Sequence, residues 1–178
     1  KSKIKDFLIN KGHQLIPILN KKKIPVGYIS DDLVFKKKRF SNLVLVMAGG
    51  KGTRMKPYTD VLPKPLIPYK NKPMIINVLD KFKNNEFNNF LISIRKNDQI
   101  LQSFLSQFDK KYNFNYLKEN NQLGTAGCLK KIKKQSAPFF MINCDTLVNV
   151  NPKRILNSHN ESKSILTAVV CLKSYQIP

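Results

Sequence analysis

Leu43-Val44-Leu45-Val46-Met47-Ala48-Gly49-Gly50-Lys51-Gly52-Thr53-Arg54-Met55-Lys56-Pro57 carries an unbroken apolar run straight into a glycine-rich turn. A continuous run that short suits a strand buried inside a parallel sheet, with both faces covered. Three glycines then let the backbone approach a ligand closely. Backbone N–H groups in such a turn make a concave anion site, so phosphate is the natural guest. Lys51, Arg54 and Lys56 add positive charge around it. The turn is neither G-x-x-x-x-G-K-[ST] nor G-x-G-x-x-G, so the P-loop and the dinucleotide fingerprint both fail. Taken alone, it also suits a strand-ending turn whose glycines serve geometry only.

Outward from this stretch the pattern alternates. A Gly/Pro-rich loop is expected to Lys72, then a helix opened by Pro73 and running to about Phe87, with Ile75, Ile76, Val78, Leu79 and Phe82 as its apolar face. Phe90 to Ile94 reads as a strand, Asp98 to Phe108 as a helix and Phe114 to Lys118 as a strand. Ala126 to about Lys134 reads as a helix, Phe139 to Asn143 as a strand and Pro152 to His159 as a short helix. Ser164 to Leu172 is a further apolar strand candidate. Strands alternating with helices predict a three-layer α/β fold with a mostly parallel, Rossmann-like sheet.

Residues 1–40 stand outside that series. They read as a helix (Lys3 to Asn10), a strand (Leu15 to Leu19), a basic turn at Lys21 to Lys23, a strand (Val26 to Ile29) and Asp31-Asp32-Leu33. The charged run Lys36 to Arg39 reads as a linker. A small α/β piece over 1–35, a linker over 36–41 and a larger α/β domain over 42–178 are therefore expected.

The chain has 178 residues with 32 Lys+Arg against 11 Asp+Glu, a formal charge of +21. Such a charge suggests nucleic acid or an anionic surface. Yet 28 of those cations are lysine, and they are spread evenly along the chain. Nucleic-acid binders gather Arg and Lys with aromatics on one face, so a solvated surface is expected, with no nucleic-acid partner. No apolar run is long enough to span a bilayer, so no membrane partner is expected either. Cys128, Cys144 and Cys171 lack C-x-x-C spacing and their odd number argues against a disulfide framework. They read as small buried residues of a reducing, cytoplasmic setting. With only His13 and His159, a histidine zinc site or a Ser-His-Asp triad is disfavoured. The first residue is Lys1, not Met, so a piece of a longer protein is expected.

Three further stretches keep the glycine turn company. Leu62-Pro63-Lys64-Pro65-Leu66 holds a lysine between two prolines, which stiffen the backbone and fix its reach. Leu123-Gly124-Thr125-Ala126-Gly127 is a small-residue turn. Phe139-Phe140-Met141-Ile142-Asn143-Cys144-Asp145 is an apolar strand ending in an acid, placed where α/β sheets hold ligands and suited to Mg²⁺.

In this order and spacing, the four stretches resemble the sugar-phosphate nucleotidyltransferases, the pyrophosphorylases that make NDP-sugars. The resemblance runs from about Asn42 to Pro178. Cys144 departs from it, since a glycine usually precedes that Asp; a small residue still fits. The front segment, Gly12 to Leu19 followed by Val26 to Leu33, resembles the closing half of a cystathionine-β-synthase-type (CBS) regulatory motif; the alternative is an ordinary β-hairpin extension. That resemblance implies an adenine nucleotide as a further ligand.

The family reaction joins a sugar 1-phosphate to the α-phosphorus of a nucleoside triphosphate and expels pyrophosphate. The resemblance implies that Gly49, Gly50, Gly52 and Thr53 cradle the triphosphate, with Ala48, Gly124 and Thr125 beside the nucleotide. It assigns pyrophosphate stabilisation to Arg54, the meeting of the two phosphates to Lys64 and Mg²⁺ to Asp145. A second metal-binding acid and most of the sugar pocket come later in the family's chain, so the 178 residues alone are expected to be inactive and the sugar is unreadable. An oligomer is compatible with the resemblance. The base is read shortly before the glycine of the L-G-T-A turn, at Glu119. A carboxylate accepts two parallel hydrogen bonds, which matches guanine N1–H and its 2-amino group better than uracil or thymine. Gln122 turned inward is the alternative reader. A non-catalytic nucleotide sensor is the rival from another class, against which intact Arg54, Lys64 and Asp145 speak.

Overall fold

The computed structural model describes residues 15–30, 40–120, 124 and 126–171. The chain divides into two compact units, Lys1–Arg39 and Phe40–Pro178. In the first, β1 (Leu15–Leu19) and β2 (Pro25–Ser30) pair antiparallel. The Asn20 side chain closes the hairpin by accepting from the backbone N–H groups of Lys22 and Ile24 at 2.9 and 3.0 Å. The expected helix over 3–10 and the charged run at 36–39 lie outside the described residues.

In the second unit, β3 (Phe40–Met47), β6 (Phe87–Arg95), β7 (Phe114–Glu119) and β8 (Phe140–Asn143) form one parallel sheet in the order β7-β6-β3-β8. The decisive apolar run is thus a central strand, with Val44 opposite Phe90 on one side and Phe140 on the other. Leu43, Val44, Leu45 and Val46 are all buried, as a strand covered on both faces requires. Each such aliphatic side chain contributes about 1.5–3 kcal/mol of burial.

The stretch expected to be a loop up to Lys72 is ordered by short elements. It contains 3₁₀ turns at Thr53–Met55 and Lys64–Leu66, the one-turn helix α1 (Tyr58–Val61) and a small ladder of β4 (Pro68–Tyr69) with β5 (Lys72–Pro73). Helix α2 (Met74–Lys83) buries the expected face of Ile75, Ile76, Val78, Leu79 and Phe82. It ends four residues before Phe87, because Asn84 and Asn85 close the last turn and Glu86 takes a left-handed φ of 70°. Phe87 instead starts β6 and stacks on Phe40, ring centroids 4.7 Å apart. Helix α3 (Gln99–Ser106) starts after Asp98, whose carboxylate caps it by accepting from the Leu101 N–H at 3.2 Å. Helix α4 (Pro152–Ser162) runs three residues past the expected end.

Two expectations fail. The helix expected from Ala126 to Lys134 is only a 3₁₀ turn over Gly127–Lys131. Gly127 weakens any helix, and of the apolar Cys128, Leu129 and Ile132 between the lysines only Cys128 is buried. The strand expected from Ser164 to Leu172 is absent over 164–171, where the backbone makes no ladder and Ile165, Leu166 and Val170 are exposed. An apolar β-prone run becomes a strand only when another strand pairs with it. Among the described residues, no helix is long and apolar enough to cross a membrane.

Candidate active site

Because β3, β6, β7 and β8 run parallel, their carboxyl ends meet at one edge of the sheet, where open α/β sheets bind ligands. A cleft of about 410 Å³ opens there. Strand β3 delivers Ala48, Gly49 and Gly50 to it; β6 contributes Ser93; β7 ends on Glu119; β8 ends on Asn143 and leads to Cys144 and Asp145. Arg54, Lys64 and Gly124 complete the wall.

The glycine turn is shaped by Gly52, at φ 68°, a left-handed conformation that costs a side-chain-bearing residue. Its carbonyl oxygen accepts from the Met55 N–H at 2.8 Å and from the Thr59 hydroxyl at 3.0 Å. A Cβ there would lie 2.8 Å from the Thr59 methyl and 3.0 Å from the Lys64 Cβ. Gly52 therefore works by packing beneath the lysine. Of the expected triphosphate cradle, Gly49 and Gly50 line the cleft and Gly52 and Thr53 do not.

The three basic residues of the turn do not act together. Arg54 lines the cleft. Lys51 faces a neighbouring cleft of about 520 Å³ beside Asp60, Arg95 and Asp98. Lys56 pairs with Asp60 at 3.0 Å. Of the residues for which the sequence suggests phosphate chemistry, that larger cleft holds Lys51 and none of Arg54, Lys64 or Asp145.

Lys64 opens a 3₁₀ turn, so its backbone is not the extended segment its prolines suggested. The prolines still anchor it, since Pro63, Pro65 and Leu66 are buried around its base. Its ammonium forms an ion pair with Asp145 Oδ2. Side chains far apart in sequence meet because one follows β3 and the other follows β8, and those strands are neighbours.

Glu119 sits opposite Arg95 in the β6–β7 register, and its carbonyl accepts from the Lys96 N–H at 3.0 Å. Its carboxylate Oε1 accepts a hydrogen bond from the Ser93 hydroxyl. A Cβ added to Gly49 would lie 3.6 Å from both Cδ and Oε1 of Glu119, so the acid lies close against the glycine turn. Ser93 is fully buried, and the sequence reading missed it; the signal was a lone hydroxyl inside the apolar run Leu91-Ile92-Ser93-Ile94. Thr125 and Gln122 lie outside the described residues.

Burial raises the Cys144 thiol to about 12, helped by the Asp145 charge and opposed by Lys64. Burial likewise raises the Cys128 thiol, with the Glu119 charge adding to it. Both therefore stay protonated, and neither is a nucleophile. Cys171, expected to be buried, is exposed. Among the described residues, no three His, Cys, Asp or Glu side chains cluster to hold a metal by themselves. Asp145, one carboxylate on the wall of the cleft, nevertheless fits Mg²⁺, which is usually held by one or two carboxylates plus substrate phosphates.

The arrangement offers backbone donors, two cations and two carboxylates around a cleft, and no activated nucleophile. That set suits positioning and charge neutralisation between two phosphates. Among known proteins, the chain is 33% identical over 132 residues to a mannose-1-phosphate guanyltransferase of Hypocrea jecorina, covering 71% of this chain and 36% of the relative. It is 35% identical over 109 residues to the mannose-1-phosphate guanyltransferase of Schizosaccharomyces pombe, covering 58% of this chain and 30% of the relative. The structure of HddC from Yersinia pseudotuberculosis complexed with GMP-PN superposes with a TM-score of 0.56 at 25% identity, over 66% of this chain and 54% of that one. The chain thus spans about a third of the length of the curated relatives it matches. Residues 43–177 match the nucleotidyl transferase family over their whole extent, and together with the parallel sheet and its cleft this makes the chain a member of that family.

Proposed function

We propose that this chain carries the nucleotide-binding part of a sugar-1-phosphate guanylyltransferase, which joins GTP to a hexose 1-phosphate and releases pyrophosphate. Mannose 1-phosphate is the first sugar to test, on the names of the curated relatives. The observation that carries the reading is Glu119 at the end of β7, on the same cleft wall as Gly49, Gly50, Arg54, Lys64 and Asp145.

The reaction is an in-line displacement. A sugar-phosphate oxygen attacks the α-phosphorus, a new P–O bond forms, and the bond from that phosphorus to the bridging oxygen of pyrophosphate breaks. No proton need move, so the protein's task is alignment and charge stabilisation. The Gly49 and Gly50 backbone holds the triphosphate, and Arg54 offsets the charge that accumulates on the leaving pyrophosphate. Lys64 swaps its pairing with Asp145 for the two reacting phosphates, whose mutual repulsion it lowers. Asp145 would hold Mg²⁺, which supplies charge neutralisation and a template when bound.

Glu119 would accept from guanine N1–H and the 2-amino group in parallel. Uracil and thymine offer one N3–H between two carbonyl oxygens, which a carboxylate repels. Such pairing discriminates by about 1–3 kcal/mol, roughly ten- to a hundredfold in kcat/KM. The test is kcat/KM for GTP, UTP, TTP, CTP and ATP with mannose 1-phosphate on the full-length protein, repeated with Glu119→Gln. GTP is expected to lead, and the substitution to erode its lead at least tenfold, the low end of that range. An enzyme that favours UTP or TTP, or whose preference ignores the substitution, removes Glu119 from base reading. Tight GTP binding without any pyrophosphate release would make the protein a sensor instead.

For the first unit, the closing half of a CBS-type module remains our reading. It is supported by the β1–β2 hairpin with apolar Ile18, Val26 and Tyr28 left exposed, as a module expecting a partner half presents them. Titration of the full-length protein with AMP and ATP, read against the same protein lacking residues 1–35, tests it.

A further inference from the structure

Strand β6 buries one hydroxyl among aliphatic neighbours. Ser93 is fully inaccessible as a residue, flanked by Ile92 and Ile94, and its hydroxyl donates to Glu119 Oε1 at the cleft wall. Ser93 and Asp98 are the buried polar residues of the described chain, and Asp98 is accounted for as the cap of α3. A buried hydroxyl is costly unless it finds a partner, and a valine or alanine would fill a strand position without that cost. The partner it finds is the carboxylate on which base reading rests. We propose that Ser93 is a positioning residue for nucleobase selection, locking the Glu119 carboxylate so that both its oxygens face the guanine edge.

The geometry gives this a physical basis. A glutamate at a strand end turns freely about its last torsion, so its carboxylate plane sweeps a wide arc. Guanine needs that plane held, because its two donors lie side by side and each must meet a different oxygen. Ser93 fixes Oε1 by donating its hydroxyl hydrogen to it. A carboxylate has about four lone-pair directions, so one donated hydrogen bond still leaves an acceptor site on each oxygen. The hydroxyl thereby settles the acid's orientation before the nucleotide arrives, and binding no longer pays to order it. Register puts this within reach: Ser93 lies opposite Leu117 on the neighbouring parallel strand, two residues before Glu119, so both side chains leave the same face of the sheet.

This inference rests on Glu119 reading the base, and the experiment separates the two. Full-length wild type, Ser93→Ala, Ser93→Thr and Glu119→Gln are compared for kcat and KM with GTP and with UTP. Ser93→Ala is expected to raise KM for GTP by about three- to tenfold, the scale of an ordering cost for one long side chain, while kcat with GTP and KM for UTP stay within twofold. Ser93→Thr, which keeps the hydroxyl, is expected to retain the wild-type GTP preference. Melting temperatures of the variants show whether the strand still packs. If Glu119→Gln changes base preference and Ser93→Ala does not, Ser93 does not position the acid and this inference alone fails. If Ser93→Ala weakens both nucleotides equally, its role is packing and the inference fails too. If Glu119→Gln leaves the preference intact, the base-reading assignment falls and takes this one with it.

Discussion

Lys64 and Asp145 hold each other across the cleft, an ammonium and a carboxylate with side chains 21% and 30% exposed. By charge alone, Lys64 suits a phosphate and Asp145 a divalent cation. The ion pair keeps both groups in place while no ligand competes for them.

Removing one partner should therefore cost chemistry more than stability. With Lys64→Ala in the full-length protein, pyrophosphate release is expected to fall on the order of 10²–10³-fold, the usual effect of deleting one preorganised electrostatic group. The partly exposed Asp145 can turn to water, so the melting temperature should move little. Near-normal turnover of the variant would take Lys64 out of the reaction.

Gly52 offers a second test, because it acts on Lys64 from behind. An alanine there would sit strained at φ 68° and press on the Thr59 methyl and the Lys64 Cβ. A destabilisation of about 1–2 kcal/mol is expected from the backbone alone. Activity should drop further than stability, since the lysine must shift. Gly50→Ala is the contrast, with no atom within 4 Å of the added Cβ and no positive φ. A turnover loss in Gly52→Ala no greater than its loss of folded protein would show that packing beneath Lys64 is unimportant.

Asp80 on α2 predicts an acid-sensitive brace. Burial pushes its carboxyl up, but hydrogen bonds from Lys111, Tyr112 and Lys72 outweigh burial and bring it down to about 2. The Tyr112 hydroxyl is pushed up to about 12 by burial and by its bond to Asp80, 2.6 Å long. A carboxyl depressed in the folded state lends stability that is present above its unfolded value near 3.8 and is lost as pH falls toward 2. Asp80 is 17% exposed, so the stabilisation is on the order of 2 kcal/mol at neutral pH. Urea denaturation of wild type and Asp80→Asn should differ by that amount at pH 7 and converge as pH falls through the folded value of about 2. A gap still at its full neutral-pH size at pH 2 would mean packing and not charge.

Much of the architecture is legible in residue order. The run Leu43 to Val46 is apolar at every position, which only a strand covered on both faces tolerates, and it lies at the centre of the sheet. Helix α2 is legible because Ile75, Ile76, Val78, Leu79 and Phe82 recur at helical spacing. The failures share a cause. The 126–134 stretch carried Cys128, Leu129 and Ile132 at helical spacing and the 164–171 run carried β-prone apolar residues, but only Cys128 is buried in the first and, among the described residues, no strand pairs with the second. Local pattern reports what a segment can bury and not whether anything lies opposite it.

The same division holds for the site. By itself the sequence offered the glycine turn, the proline-flanked lysine and the acid after β8 as local compositions with local physical meaning, and the glutamate before the second glycine turn only through the family resemblance. Tertiary structure alone decided which of them meet. Strand order puts Lys64 beside Asp145, the φ of Gly52 sends it under the lysine and away from the cleft, and parallel register sets Ser93 against Glu119. Such pairings depend on which strands are neighbours, and strand neighbours are chosen by the burial of the whole sheet, a sum over residues that no single motif contains.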